Sequence, residues 1–303
     1  MTPTRQGSIH LFRFAGIDVY LSWLWFLAPV IFMTMAAGEH SSLVWSVLEC
    51  LVMFVIVLLH EFGHALACRQ VGGQANLIVL WPLGGVAYVT PPPRPGPILW
   101  SIAAGPLVNV ALLPVFALVW VVAYAAGLGE AAPRAYQFVE IVFFMNVVLL
   151  CFNLLPIYPL DGGQILQALL WFVLGRARSL AVATVIGFLG VPVLIVIAFL
   201  GHNPILGVLC VFIVLLCWRG LMQARVLARV AKLPRRSGFA CPACKQPPII
   251  GPLWRCDKCL QQFDTFATQA VCPHCGAQFA VTRCPECGSS RPLGEWLVAP
   301  PKL

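Results

Sequence analysis

The sequence predicts an all-α polytopic membrane protein with about six transmembrane helices and a small membrane-associated β-hairpin, followed by a small zinc-ribbon domain. Composition is the first ground. Of 303 residues 60% are hydrophobic and only 10% charged, and the mean hydropathy is +0.88, a balance that soluble domains do not show. Apolar runs long enough to cross a bilayer are the second, recurring between Asp18 and Trp218. Cysteine placement is the third: eight of 13 lie after residue 240, all in CxxC pairs. The net charge of +8 is spread as 13 Lys/Arg against seven acids in residues 1–236 and six against four in the rest. Such cations flank membrane segments and do not form a nucleic-acid surface.

Taken in order, MTPTRQGSIHLFRFAG is short and basic and predicts no fold of its own. Asp18 opens an apolar run through Ala37, longer than the ~7–15 residues of a signal-peptide core, so it reads as an uncleaved first span. The second span, 42–68, contains VMFVIVLLHEFGHAL and stops at Arg69. If Arg69 marks the interface, His60 lies about 13–14 Å inside, at 1.5 Å per residue. Residues 71–97 hold two β-favouring runs, Leu77–Leu80 and Val86–Thr90, parted by Pro82, Gly84 and Gly85. They predict a hairpin dipping into the membrane, which is tolerated only against protein or a wet cavity.

The third span, 98–126, carries AAGPLVN, and the fourth starts near Tyr136 and runs into NLLPIYPLDGG. Pro156, Pro159, Gly162 and Gly163 force that helix to unwind before it restarts as QILQALLWFVLG. Residues 179–200 and 203–218 complete six spans. With the amino terminus in the cytosol, only Arg134 among the membrane-flanking Lys/Arg faces outward, as the positive-inside rule expects. Both termini are then cytosolic, with a membrane domain at 1–222, a basic linker at 223–240 and a cytosolic double zinc ribbon at 241–303.

His60 and His64, at i and i+4, share one helical face and can bind one zinc ion, with Glu61 beside them as general base. In a soluble helix HExxH is a weak match. Within hydrocarbon, three ionisable groups are costly and mark function. A catalytic zinc takes three protein ligands, and Asp161, in the unwound part of span four, is the candidate for the third. The same aspartate can cap the helix starting at Gly162, and both roles can hold together. In the tail, consecutive pairing gives one structural zinc site of Cys241, Cys244, Cys256 and Cys259, and a second of Cys272, Cys275, Cys284 and Cys287. Pairing of the first knuckle with the fourth is the other arrangement. Glu49, Asp18, Glu140, His10, His40 and His202 read as interfacial or surface groups, and the five single cysteines as small core residues.

HEFGHALA, the PLGGVA loop, GPLVN and NLLPIYPLDGG, in this order and on these spans, resemble the site-2 protease family of intramembrane zinc metalloproteases over roughly residues 10–222. The resemblance implies His60, His64 and Asp161 as ligands of one catalytic zinc, and Glu61 as the base that activates the zinc-bound water. It places Asn153 near the reacting carbonyl, and Gly105, Pro106 and Asn109 match the GPxxN segment. Asn153 or Asn109 could donate to the developing oxyanion, an interhelical hydrogen bond being the alternative for each. The implied activity is hydrolysis of peptide bonds in or near transmembrane segments of membrane-anchored proteins, the substrate unwinding to add as a strand to the 77–90 hairpin. The rivals are a catalytically silent membrane scaffold that recruits a cytosolic partner through the ribbon, and a zinc transporter. A tail charge of +2, lowered by about two for each four-thiolate zinc site, points to a protein partner and away from nucleic acid.

Overall fold

The structure is a computed structural model and describes residues 7–27, 43–81, 84–202 and 204–298. Its helices are α1 (Leu43–Gln70), α2 (Pro95–Ala125), α3 (Pro133–Asn153), α4 (Asp161–Leu174), α5 (Arg176–Leu200) and α6 (Pro204–Ala231), with one extra turn at Leu128–Ala131. All but α4 are long and apolar enough to cross a membrane, so the described residues hold five candidate spans rather than six. The protein is an integral membrane protein. The chain divides into two units, one reaching Met222 and the other beginning at Gln223.

The first span expected at 18–37 is not one helix. Ser8–Phe14 (β1) and Ile17–Ser22 (β2) form an antiparallel hairpin, and Trp23–Leu27 is a 3-10 turn; residues 28–42 lie outside the described ones. The turn between the strands, Ala15 and Gly16, has positive φ at both residues (48° and 74°), the twist that suits a two-residue hairpin. IDVYLS buries Ile17 and Val19, the alternating residues of a strand with one face in a core. That short period is hidden inside a longer apolar run.

The expected hairpin is present as β3 (Gln74–Trp81) and β4 (Gly84–Thr90), and β2 runs parallel to β3, giving a four-stranded sheet in the order β1-β2-β3-β4. A parallel pair needs a crossover, and α1 supplies it. Ile17, Val19, Ile78 and Leu80 pack against Val57, Ala65 and Cys68 of α1. Ring contacts of Phe14 with Phe62 and of Trp25 with Phe54 extend the match along the helix. At the interface end, the Arg69 guanidinium donates to the carbonyls of Ala15 and Gly16 and to Asn76 Oδ1. The sheet therefore lies against α1 from Arg69 to Phe54, about 22 Å at 1.5 Å per residue.

Between α3 and α4 the chain is non-helical, as its prolines and glycines require. Helix α4 begins at Asp161 itself, with Leu160 at the cap position and no side-chain cap bond, so the capping role expected for Asp161 is not taken.

The basic linker expected at 223–240 is not a linker. Helix α6 continues to Ala231, and the residues after it belong to the zinc-ribbon fold. Arg235 donates to the Pro247 carbonyl and pairs with Glu286 at 2.7 Å, and Arg236 pairs with Asp264 at 2.7 Å. Hairpins β5/β6 (Trp254–Arg255, Gln262–Phe263) and β7/β8 (Thr282–Arg283, Ser290–Arg291) carry the second and fourth knuckles.

The consecutive pairing of knuckles is corrected: Cys241, Cys244, Cys284 and Cys287 form one tetrad, and Cys256, Cys259, Cys272 and Cys275 are nested inside it as the other. The two ends of the domain cause this. Phe239 bridges to Leu297, and the Ala240 amide donates to the Trp296 carbonyl at 2.8 Å, which brings the first knuckle to the fourth. Phe266, from between the inner knuckles, and Trp296 then fill the space against Cys241, Cys284 and Cys287. Trp296 is fully buried, so Trp296→Ala should cost about 3–5 kcal/mol of ribbon stability. The expected readout is zinc release from the ribbon at lower denaturant than in wild type.

Candidate metal centre and catalytic site

Helix α1 brings His60 and His64 to one face, and the first turn of α4 brings Asp161 to meet them. Asp161 Oδ2 lies 3.0 Å from His60 Nε2 and 3.3 Å from His64 Nε2, and the two Nε2 atoms are 3.1 Å apart. Both imidazoles are buried. His64 Nδ1 donates to the Ser101 carbonyl at 2.9 Å, and His60 Nδ1 meets Asn109 Oδ1 at 2.5 Å. Each Nδ1 thus holds the ring proton, and each Nε2 turns a lone pair inward. Two lone pairs and a carboxylate oxygen converge with no proton among them, an arrangement that repels itself unless a cation joins it. The spacing suits zinc, whose tetrahedral N/O ligands at about 2.0–2.1 Å stand about 3.3–3.4 Å from one another.

Two glycines let this centre form. A Cβ on Gly105 of α2 would collide with His64 Nε2 and lie 2.8 Å from His60 Nε2, so the rings pack on bare backbone. A Cβ on Gly85 of β4 would collide with Glu61, which accepts the Ala87 amide at 2.7 Å through Oε2. Gly105 of GPLVN and Gly85 of PLGGVA are thereby explained by close approach.

His60, Glu61, His64, Asp161 and Asn109 all come together. Asn109 is fully buried; its Oδ1 faces His60, and one N–H of its Nδ2 donates to Asn146 Oδ1 at 2.8 Å. These bonds are the interhelical arrangement read from the sequence as the alternative to an oxyanion role. Asn153 ends α3, half-buried, with no side-chain hydrogen bond among the described residues. Two contributors escape sequence reasoning. Ser101 acts through its backbone carbonyl, which no side chain announces. Asn146 had a signal, a polar residue inside an apolar helix one heptad before Asn153.

In the tail, neighbouring sulfurs stand 3.6 Å (Cys241 to Cys287), 3.8 Å (Cys244 to Cys284), 3.5 Å (Cys256 to Cys275) and 3.6 Å (Cys259 to Cys272) apart. A disulfide needs about 2.05 Å, whereas thiolates at 2.3 Å from a tetrahedral zinc stand about 3.8 Å apart. Hydrogen bonds from backbone N–H groups, that of Cys259 foremost, hold the Cys256 thiol down at about 6. Both tetrads fit structural zinc.

A multi-span membrane protein with a buried His-His-Asp centre and an adjoining glutamate defines a narrow class. The chain belongs to peptidase family M50, the site-2 proteases, whose family model matches residues 49–136 and 121–198. Zinc metalloprotease MJ0392 of Methanocaldococcus jannaschii is 31% identical over 208 residues, covering 68% of this chain and 58% of that protein. The putative zinc metalloprotease sll0528 of Synechocystis is 26% identical over 240 residues, covering 75% and 62%. Stage IV sporulation protein FB of Bacillus subtilis is 32% identical over 146 residues, covering 48% and 44%. The chain thus spans no more than 62% of these relatives' length. The solved site-2 protease from Methanocaldococcus jannaschii superposes with a TM-score of 0.51 at 28% identity, covering 71% of this chain and 95% of that one.

Because Gly105 has no room for a side chain, Gly105→Ala should abolish zinc binding at His60, His64 and Asp161 and leave the ribbon zinc in place. Metal analysis of the purified variant checks this; an unchanged zinc content would show that the rings do not depend on that contact.

Proposed function

We propose that the chain is an intramembrane zinc endopeptidase that hydrolyses peptide bonds in or near transmembrane segments of membrane-anchored proteins. The observation that supports it is the meeting of His60, His64 and Asp161 beside Glu61, with both histidines and the glutamate on a helix long enough to cross a bilayer. Zinc held by these three residues would polarise the scissile carbonyl and acidify water. Glu61 then takes a proton from the attacking water on its carboxylate and passes it to the leaving amine nitrogen. Asn153, whose side chain makes no hydrogen bond among the described residues, donates to the developing oxyanion. Two further zinc ions sit in the nested ribbon, making three in all, and the ribbon serves a cytosolic protein partner.

Substrate adds to β4 as an extended strand, since a helical peptide hides its amides from attack. The two outer strands of the sheet differ in a way that favours this edge. Strand β1 has a bulge between His10 and Phe12 and carries His10 and Arg13 beside Asp18, features that blunt an edge. Strand β4, GGVAYVT, is uncharged and pairs only with β3 among the described residues. The Ala87 amide points to Glu61, so the open edge faces the base, and by the alternation of an antiparallel strand the Gly85 and Val89 amides point the same way.

The cation Arg69 supports an orientation. It binds the turn between β1 and β2 at one end of α1, and Leu43 begins the helix at the other, so a cytosolic side for Arg69, as the positive-inside rule expects, gives that turn the same side. Both termini are then cytosolic, in the cell membrane.

Glu61→Gln should keep all three zinc ions and lower cleavage of a transmembrane substrate by about 10²- to 10⁴-fold. Wild-type cleavage by that variant would favour the scaffold reading. Val89→Pro removes an outward amide without touching the bonds to β3 and should slow cleavage with zinc content intact; equal rates would count against strand addition.

A further inference from the structure

Asn146 lies fully buried midway along α3, the polar member of the stripe Val142, Asn146, Leu150. A carboxamide placed there costs free energy unless it is hydrogen-bonded. Its Nδ2 donates to the Asn109 backbone carbonyl at 3.0 Å, and its Oδ1 accepts from Asn109 Nδ2 at 2.8 Å. One group in this set has no choice of role. A backbone carbonyl only accepts, so the end of Asn146 that faces it is the NH2, and the other end is oxygen. Oxygen at that place requires Asn109 to present its own NH2, which turns Asn109 Oδ1 toward His60 Nδ1.

His60 can then only donate from Nδ1, and its Nε2 lone pair is left for a metal. Were Asn109 rotated by half a turn, its NH2 would face Nδ1, the ring proton would move to Nε2, and the ligand position would be blocked. His64 needs no such relay, because the Ser101 carbonyl is already a fixed acceptor. We propose that Asn146 is a positioning residue: through Asn109 it sets the tautomer of His60, and with it the affinity of the centre for zinc. This rests on the metal-centre reading of His60, His64 and Asp161.

The test is zinc affinity of the full-length protein in detergent, by chelator competition, counting only the zinc that His60→Ala removes. Asn146→Leu should weaken binding by about 10- to 100-fold, the loss typical of outer partners of metal-ligating histidine. Asn109→Leu should do the same, and the double variant should be no weaker than the weaker single, since both act on one hydrogen bond. Where leucine prevents folding, Asn146→Ala makes the same comparison. Nitrogen NMR of histidine-labelled, zinc-free protein should show His60 protonated at Nδ1 in wild type and a tautomer mixture in the Asn146 variants. Wild-type affinity, losses that multiply in the double variant, or an unchanged tautomer would each overturn the proposal. If His60→Ala itself removes no zinc, the metal-centre reading fails; if it does and Asn146 has no effect, only the relay fails.

Discussion

Three electron-rich atoms pointed at one another, with no proton between them and little water around them, constrain everything else in this membrane unit. Left without a cation, the two imidazoles would swing apart or take up protons, so each is held from behind. The Ser101 carbonyl and the Asn109 amide hold the rings by Nδ1. Gly63 brings α1 so near α2 that an added Cβ would lie 2.7 Å from the Ala104 carbonyl, and Gly105 leaves the rings room. Small residues at helix contacts are the usual means of close packing in lipid. Here they also set where the ligands stand.

The sheet obeys the same constraint from another side. Backbone at membrane depth must have its polar groups matched inside the protein, and β2 and β3 are matched by neighbours on both edges. Their inner face rests on α1, so neither needs water. Among the described residues the outer strands each keep one unmatched edge, and the chain treats them differently. On β1 a bulge and charges disfavour a newcomer; on β4 the open edge runs past Glu61. An edge left fit for pairing beside a buried carboxylate is a cost without return, unless something extended is meant to lie there.

How much of this could be read from the residues depended on whether a feature lay in spacing or in packing. The i, i+4 histidines and the proline-glycine break that frees Asp161 are spacing, and both were legible. So was the hairpin, from two β-favouring runs parted by turn residues. Strand β2 was not, because six residues of alternation inside an apolar run carry less weight than the run itself. Knuckle pairing could not be read from spacing either. Both arrangements use the same thiols, and the choice is made by Phe239, Phe266 and Trp296, which join the ends of the domain. The role of Asn109 turned on which end of its amide is occupied, which no pattern records.

The break between α3 and α4 shows how an interrupted helix is made tolerable in lipid. Unwinding frees backbone groups, and each needs a partner. Two of the freed positions are prolines, which have no N–H to satisfy. The Ile157 and Leu160 amides bond to the Leu155 and Ile157 carbonyls. The Pro159 carbonyl receives Gln164 Nε2 at 2.8 Å, and the Tyr158 carbonyl receives the Cys217 thiol at 2.7 Å. Cys217 is therefore more than the small apolar filler its surroundings suggest, since it donates where a valine would leave a carbonyl bare. Ile157 is packed among Val191, Leu194 and Ile213, which anchors the loop from its apolar side. With the loop fixed at both its polar and its apolar groups, Asp161 emerges at the start of α4 in one place only, facing the two imidazoles.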